Sequence, residues 1–239
     1  MINVVIPMAG LGSRFPREKY LPKPLIDVNG KPMIVRAIES LDINAQYHFL
    51  IRRDEFTSII ETVIKKTVAN PRFIAVDQIT EGPACSVLLF REFIDNDQEL
   101  IVANCDQIME WSSELFFHNV RLYDGAVVTY YSDTDKNSYD KIDKKGYVVE
   151  MREKEVISNI SLNGIHYWKK GSHFVSSVLD MIAANDRAPN GEFYIAPSYN
   201  YMIKNGLKVG IHHIPNEQHH PVGVPVDLEK FLRYDQAKH

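Results

Sequence analysis

Val5-Ile6-Pro7-Met8-Ala9-Gly10-Leu11-Gly12-Ser13-Arg14-Phe15 sets a short apolar run directly against a glycine-rich turn. Asn3 to Ile6 reads as a strand buried on both faces, because its apolar residues run without polar alternation. Gly10 to Arg14 reads as the turn that follows. Glycines there let backbone N–H groups approach phosphate oxygens with no Cβ in the way. Arg14 adds a planar fork of donors, and Lys23, in Pro22-Lys23-Pro24, adds a compact positive charge. The turn lacks the G-x-x-x-x-G-K-S/T pattern of a phosphate-binding loop. It is not a dinucleotide fingerprint either, since Phe15 stands where the third glycine of G-x-G-x-x-G belongs.

Outward from this turn, short apolar runs alternate with amphipathic stretches as far as residue 131. Strands are expected at Tyr47 to Ile51, Arg72 to Val76, Glu99 to Ala103 and Ala126 to Tyr131. Helices are expected at Pro32 to Leu41, Glu55 to Val68, Pro83 to Phe90 and Ser112 to Leu122. This alternation predicts an α/β fold with a mostly parallel sheet and helices on both faces. Ligands of such sheets bind beyond the carboxyl ends of the strands. Three motifs stand there: Met8 to Arg14, Asp77 to Ala84, and Asn104 to Gln107. After Ser132 the rhythm changes. The stretch 133–143 is polar, and Lys144-Lys145-Gly146 reads as a tight turn between short strands. A long strand is expected at Ile160 to Trp168 and another at Lys208 to His213. Helices are expected at Ser172 to Ala184, Ala196 to Lys204 and Val226 to Tyr234. The expectation is one domain over 1–239, in which 133–239, a smaller mixed-β subregion included, forms the wall of a site opened by 1–132.

The 239 residues carry 45% hydrophobic and 24% charged residues and a net charge of −4. That composition suits a packed globular chain and excludes an intrinsically disordered one. No basic stripe marks a nucleic-acid partner. No apolar run approaches the roughly 20 residues of a membrane span. Met1 to Met8 lacks a basic flank and runs into glycines, so it reads as a first strand and not a signal peptide. Two cysteines cannot build a disulfide framework, and a reduced cytoplasmic setting is expected. Cys105 reads as a small buried hydrophobe. His212, His213, His219 and His220 crowd one region, but their spacing is not that of a zinc site. The oligomeric state is left open, a homo-oligomer included.

The opening motif, continued by Pro22-Lys23-Pro24-Leu25-Ile26 and Gly30-Lys31-Pro32-Met33-Ile34, resembles the signature of the sugar-phosphate nucleotidyltransferases. Later segments follow in that family's order and extend the resemblance over most of the chain. Gln78 and Glu81-Gly82-Pro83-Ala84 resemble the segment that reads the base, with Pro83 in place of a threonine. Asp106 stands at the position of a metal-binding aspartate. Glu153-Lys154 resembles the segment whose lysine contacts the acceptor phosphate, with Glu155 in place of a proline. Asn163-Gly164-Ile165 resembles the acceptor wall. Val222 to Glu229 resembles the closing segment, which carries a second metal carboxylate, here Asp227.

The resemblance implies a Rossmann-like sheet of the GT-A type and an enzyme that joins a nucleoside triphosphate to a phosphorylated small acceptor, releasing pyrophosphate. It implies nucleotide contacts from Ala9, Gly10, Leu11, Gly12, Ser13, Arg14, Lys23, Gln78, Gly82 and Ala84, with Arg14 and Lys23 catalytic. It implies acceptor contacts from Lys154, Asn163, Gly164, Glu192 and Tyr194, and Mg²⁺ on Asp106 and Asp227. The Ile-Pro-Met-Ala-Gly start most resembles short enzymes of bacterial capsule and surface-polymer clusters. Some of these are cytidylyltransferases with acceptors such as phosphocholine or phosphoglutamine, and CTP is the favoured nucleotide.

Each role has a plainer counterpart. Asp106 has a helix cap as its ordinary alternative, Asp227 a favourable charge at a helix start, and Lys154 a solvated charge. A GT-A glycosyltransferase would carry Asp-x-Asp after the fourth strand, where Asp106-Gln107-Ile108 stands instead. A non-catalytic nucleotide sensor would not need both Arg14 and Lys23 together with the two carboxylates.

Overall fold

The computed structural model describes residues 1–135 and 137–238, so Lys136, within the predicted 133–143 loop, and His239 lie outside the described residues. The opening apolar run forms β1 (Asn3–Pro7), with Val4, Val5 and Ile6 buried on both sides. A hairpin of β2 (Asp27–Val28) and β3 (Lys31–Pro32) leads into α1 (Met33–Leu41). Then come β4 (Gln46–Arg52), α2 (Thr57–Thr67), β5 (Arg72–Val76), α3 (Pro83–Leu88), α4 (Arg91–Ile94) and β6 (Leu100–Val102). β7 (Gln107–Met109), α5 (Ser113–Val120), β8 (Gly125–Tyr131), β9 (Ser138–Ile142), β10 (Val148–Glu153) and β11 (Ile160–Trp168) follow. The chain closes with α6 (Gly171–Ala183), α7 (Ser198–Lys204), β12 (Val209–His213), β13 (His219–Pro221) and α8 (Pro225–Gln236).

Strands β6, β1, β4 and β5 lie side by side and parallel, as the βα rhythm predicts. β11 joins β6 antiparallel through Trp168, Tyr167 and His166, opposite Leu100, Ile101 and Val102. It pairs with β8 on its other edge, and β12 runs parallel to β8. Beyond Val102 the chain leaves β11, and β9 meets the same strand at Ser161, followed outward by β10. The sheet therefore opens along β11 between His166 and Ser161, at the carboxyl end of β6. Alternation along the strands supplies both faces. Ile6, Phe49 and Ile51 pack with α1, α2 and α5 residues such as Ile38, Ile64 and Phe116. Val5, Leu50 and Val102 pack with Ala84, Val87, Phe174 and Tyr199 from α3, α6 and α7. A third cluster joins Phe15, Val28, Met33, Ile108, Val222 and Phe231, which seats α8 against the glycine turn and the hairpin.

Several local expectations are revised. The predicted helix from Pro83 to Phe90 stops at Leu88, and a separate short helix starts at Arg91. The polar 133–143 stretch contains β9, where Tyr139 and Asp140 are fully buried. The β7–β13 pair was not expected, and it aligns His219 with Met109 and Pro221 with Gln107. Each strand of that pair has three residues, too few for a periodic signal. Among the described residues no helix is long and apolar enough to cross a membrane.

Candidate active site

One cavity of about 1290 Å³ opens at the carboxyl ends of β1, β4 and β6. Of the residues the sequence singles out, Gly10, Leu11, Gly12, Arg14, Lys23, Asp106, Lys154, Asn163, Gly164, Tyr194 and Asp227 line it. Ser13 lines an adjoining pocket of about 270 Å³ with Gly12, Arg14, Phe15, Lys23 and Gly223. Ala9, Gln78, Gly82, Ala84 and Glu192 are outside the cavity lining, although Pro83 is within it.

The glycine turn is shaped by Gly12, whose φ of +62° favours a residue without a Cβ. Phe15 N–H donates to Gly12 O at 2.9 Å and closes the turn. The Phe15 ring is buried and meets Tyr20 edge-on at 5.1 Å, so the turn is anchored by its own aromatic end. Lys23 comes from the short 3₁₀ turn Lys23–Leu25, fixed between two prolines. Its Nζ is ion-paired with Asp106 Oδ2. Burial alone would lower the Lys23 pKa, but Asp106 and Cys105 outweigh it and hold the ammonium above its ordinary value. Burial pushes the Cys105 thiol up to about 12, which removes it as a nucleophile.

Asp106 is also tied to the last segment of the chain. Its carbonyl accepts from Val222 N–H at 2.9 Å. The next residue, Gly223, lies so close to the Asp106 carboxylate that no side chain fits between them. That contact brings the start of α8, and with it Asp227 in the first turn, to the wall that holds Asp106.

The opposite wall comes from β9 to β11. A bulge in β11 between Leu162 and His166 centres on Gly164, φ +94°. A Cβ at Gly164 would collide with the Asn104 amide and stand 3.2 Å from Gln107 Oε1. The missing side chain thus lets the chain after β6 cross this strand. Asn163 is buried, and its Oδ1 accepts from Ile165 N–H at 2.9 Å, which holds the bulge. Lys154 has a φ of +55°, and its Nζ donates to Tyr194 Oη at 2.7 Å while standing 4.6 Å above the Tyr194 ring. The hydrogen bond to Tyr194 raises the Lys154 pKa. Glu192 reaches this pair only through Asn190, which donates to Glu192 at 2.8 Å and to Tyr194 at 3.0 Å. Asn200 clamps the Met151 N–H and carbonyl of β10, each at 2.9 Å.

Gly82 and Ala84 are held by the backbone of Phe193. A Cβ at Gly82 would stand 2.5 Å from Phe193 O, and Ala84 N–H already donates to that oxygen at 3.1 Å. Gln78 is exposed. The lining also includes Arg17, Arg52, Asp54, Gln107, His166 and His219, which the sequence reading did not select. For Arg52 a signal existed, since it ends the second parallel strand, where such sheets bind ligands. Burial lowers His219 to about 4 and His166 to about 3, so both are neutral near pH 7. His220 is not in the cavity lining; its Nε2 stands 3.5 Å from Glu110, and its ring lies tilted against Tyr234 of α8. Among the described residues no group of three or more His, Cys, Asp or Glu gathers to hold a metal.

The chain is similar to known proteins in sequence and in fold. No family model matches the chain. It is 27% identical over 219 residues to the bifunctional protein GlmU of Methanococcus maripaludis, a match covering 88% of this chain and 49% of that protein. The chain spans about half the length of the curated relatives it matches. Among solved structures, the nucleoside-diphosphate-sugar pyrophosphorylase of Vibrio cholerae superposes with a TM-score of 0.83 at 23% identity, covering 96% of this chain and 99% of that one. A UDP-glucose pyrophosphorylase solved with UDP-glucose gives 0.79 at 16% identity, over the full length of both. The Rossmann-like α/β fold is therefore shown, and the chain is similar in sequence to GlmU proteins over about half of their length.

Proposed function

We propose that the chain is an Mg²⁺-dependent nucleotidyltransferase that joins a pyrimidine nucleoside triphosphate, CTP by preference, to a phosphorylated small acceptor. The supporting observation is the convergence of Gly12, Arg14, Lys23, Asp106 and Asp227 on one cavity whose opposite wall carries Lys154 and Tyr194. The curated relatives' activity is carried over on that ground, as is a role in making capsule or other surface polymers.

The donor set fits magnesium, a hard ion that prefers oxygen ligands. Asp106 and Asp227 would hold it, and the residue between their segments, Gly223, leaves the Asp106 carboxylate uncrowded. Two carboxylates are few, so phosphate oxygens of the nucleotide would complete the shell. When bound, the ion neutralises charge on the triphosphate.

The residues of the chain account for the rest of the reaction. The acceptor phosphate oxygen attacks the α-phosphorus, a new P–O–P linkage forms, and the α–β bond breaks to release pyrophosphate. The second pKa of a phosphate monoester is about 6, so the nucleophile is largely dianionic at neutral pH and needs no general base. Lys154, held by Tyr194, neutralises and orients that dianion. Gly12 N–H, Arg14 and Lys23 stabilise charge on the triphosphate and the leaving pyrophosphate, and such preorganised electrostatics supplies most of the acceleration. The test is a pyrophosphate-release screen of the four common nucleoside triphosphates against sugar 1-phosphates and small phosphate monoesters. Release with a pyrimidine nucleotide and one acceptor class supports the reading, and no release with any pair overturns it.

A further inference from the structure

At the carboxyl ends of β1 and β4 the cavity is lined by Pro7, Met8, Gly10, Ile51, Arg52 and Asp54, none of which lines the adjoining Gly12–Arg14–Lys23 pocket. Strand alternation places Arg52 on the face of β4 that carries Leu50, because side chains two apart share a face. Leu50 packs in one cluster with Ala9 and Ala84. Arg52 therefore projects on the side of the sheet where the turn after β1 faces the start of α3. Pro83 lines the cavity from that helix. Gln78 is exposed and not in this lining.

The two polar heads here are open. Arg52 Nη1 is buried, with no hydrogen-bond partner among the described residues. Asp54 Oδ1 accepts from Phe56 N–H at 2.9 Å, which fixes the carboxylate. Among the described residues no partner is found for Asp54 Oδ2, and Arg52 and Asp54 do not pair with each other. A buried N–H left unpaired is costly, so a ligand that accepts from it gains that energy on binding.

Together the heads present N–H donors beside an anionic acceptor. Cytosine offers the complementary row: O2 and N3 accept, and the 4-amino group donates. Uracil reverses two of the three, with an N3–H facing the guanidinium and a 4-carbonyl facing the carboxylate. Adenine offers N1 and its 6-amino group but a C–H where cytosine has O2. We infer that Arg52 and Asp54 read the pairing edge of the nucleotide base and select cytosine. This rests on the proposal that the cavity holds a nucleoside triphosphate.

Calorimetric titration with CTP, UTP, ATP and inorganic tripolyphosphate, each with Mg²⁺, tests it on the full chain. A bidentate base contact discriminates by about 10- to 100-fold, so the parent should bind CTP tighter than UTP by that factor. Arg52→Met should remove most of the preference while tripolyphosphate affinity changes less than about twofold. Asp54→Asn should keep the bond to Phe56, and hence the fold, while the new amide donor faces the 4-position and the CTP-to-UTP ratio shrinks. An unchanged ratio in both variants overturns the inference, and so does an equal loss for CTP, UTP and tripolyphosphate in Arg52→Met. The wider functional reading survives either result. It fails if the parent binds neither CTP nor UTP.

Discussion

Lys23 Nζ is ion-paired with the Asp106 carboxylate, although 83 residues separate them in the chain. One group comes from the turn after the glycine loop and the other from the carboxyl end of β6. Each is about one-fifth exposed, so the pair stands at the cavity wall and not in the core. In the proposed reaction a ligand bringing phosphate and a cation would exchange partners with both, phosphate for Lys23 and the cation for Asp106.

Lys23→Ala and Arg14→Ala should each lower turnover by about 10²–10³, the usual cost of one preorganised electrostatic contact. Melting temperatures should stay within a few degrees of the parent, because partly exposed ion pairs contribute little to stability. Pyrophosphate release and a thermal melt on each variant check both halves. Near-parental turnover by both variants would remove the phosphate-cradle assignment.

Asp106→Asn and Asp227→Asn keep shape and each remove one negative charge from the proposed cation site. Turnover should fall far more than stability, and added Mg²⁺ should restore it only in part. The measurement is turnover against Mg²⁺ concentration for both variants and the parent. If Asp227→Asn follows the parental curve, Asp227 serves only as a favourable charge in the first turn of α8.

The parallel core was legible because Val4 to Ile6 and Tyr47 to Ile51 are unbroken apolar runs between helical patterns, and local periodicity reports that directly. β9 was not legible. Ser138 to Ile142 mixes polar and apolar residues, and Tyr139 and Asp140 are buried by neighbours far away in sequence. The same division holds at the site. Gly12, Arg14 and Lys23 sit in one local motif, and the structure puts them on one cavity. Arg52 lies inside an ordinary-looking strand end, and only the pairing of β4 between β1 and β5 brings it to the ligand side. Gly82 looked like a ligand contact, but its closest approach is to the Phe193 backbone.

Gly82→Ala should therefore act on stability first. Its φ is +134°, where side chains are strained, and the added Cβ would meet Phe193 O at 2.5 Å and Phe193 N at 2.6 Å. Both are backbone atoms that cannot rotate aside. A loss of roughly 1–3 kcal/mol is expected, typical of forcing a side chain onto a strained glycine position. Chemical denaturation of the variant and parent measures it. An unchanged unfolding midpoint would show that the Gly82–Phe193 contact is loose enough to yield.

Asp140 should make stability depend on pH. It is fully buried in β9, and among the described residues neither carboxylate oxygen has a hydrogen-bond partner. Burial raises its pKa from 3.8 to about 7. Between these values the folded chain binds the proton and the unfolded chain does not. Stability therefore falls as pH rises through that window and falls no further above it. The buried histidines act in the opposite sense. His48 and His219 are lowered to about 4 and His166 to about 3, chiefly by burial, so stability is lost as pH drops below about 6.5. The two effects overlap, and a single substitution separates them. Asp140→Asn is uncharged at every pH, so its histidine term matches the parent and only the Asp140 term disappears. At pH 4 the two proteins should be about equally stable. At pH 8 the variant should be more stable by up to roughly 4 kcal/mol, the free-energy equivalent of the Asp140 shift. Denaturant unfolding at both pH values gives the difference directly. A difference that does not change between pH 4 and pH 8 would mean that Asp140 ionises in the fold as freely as in the unfolded chain.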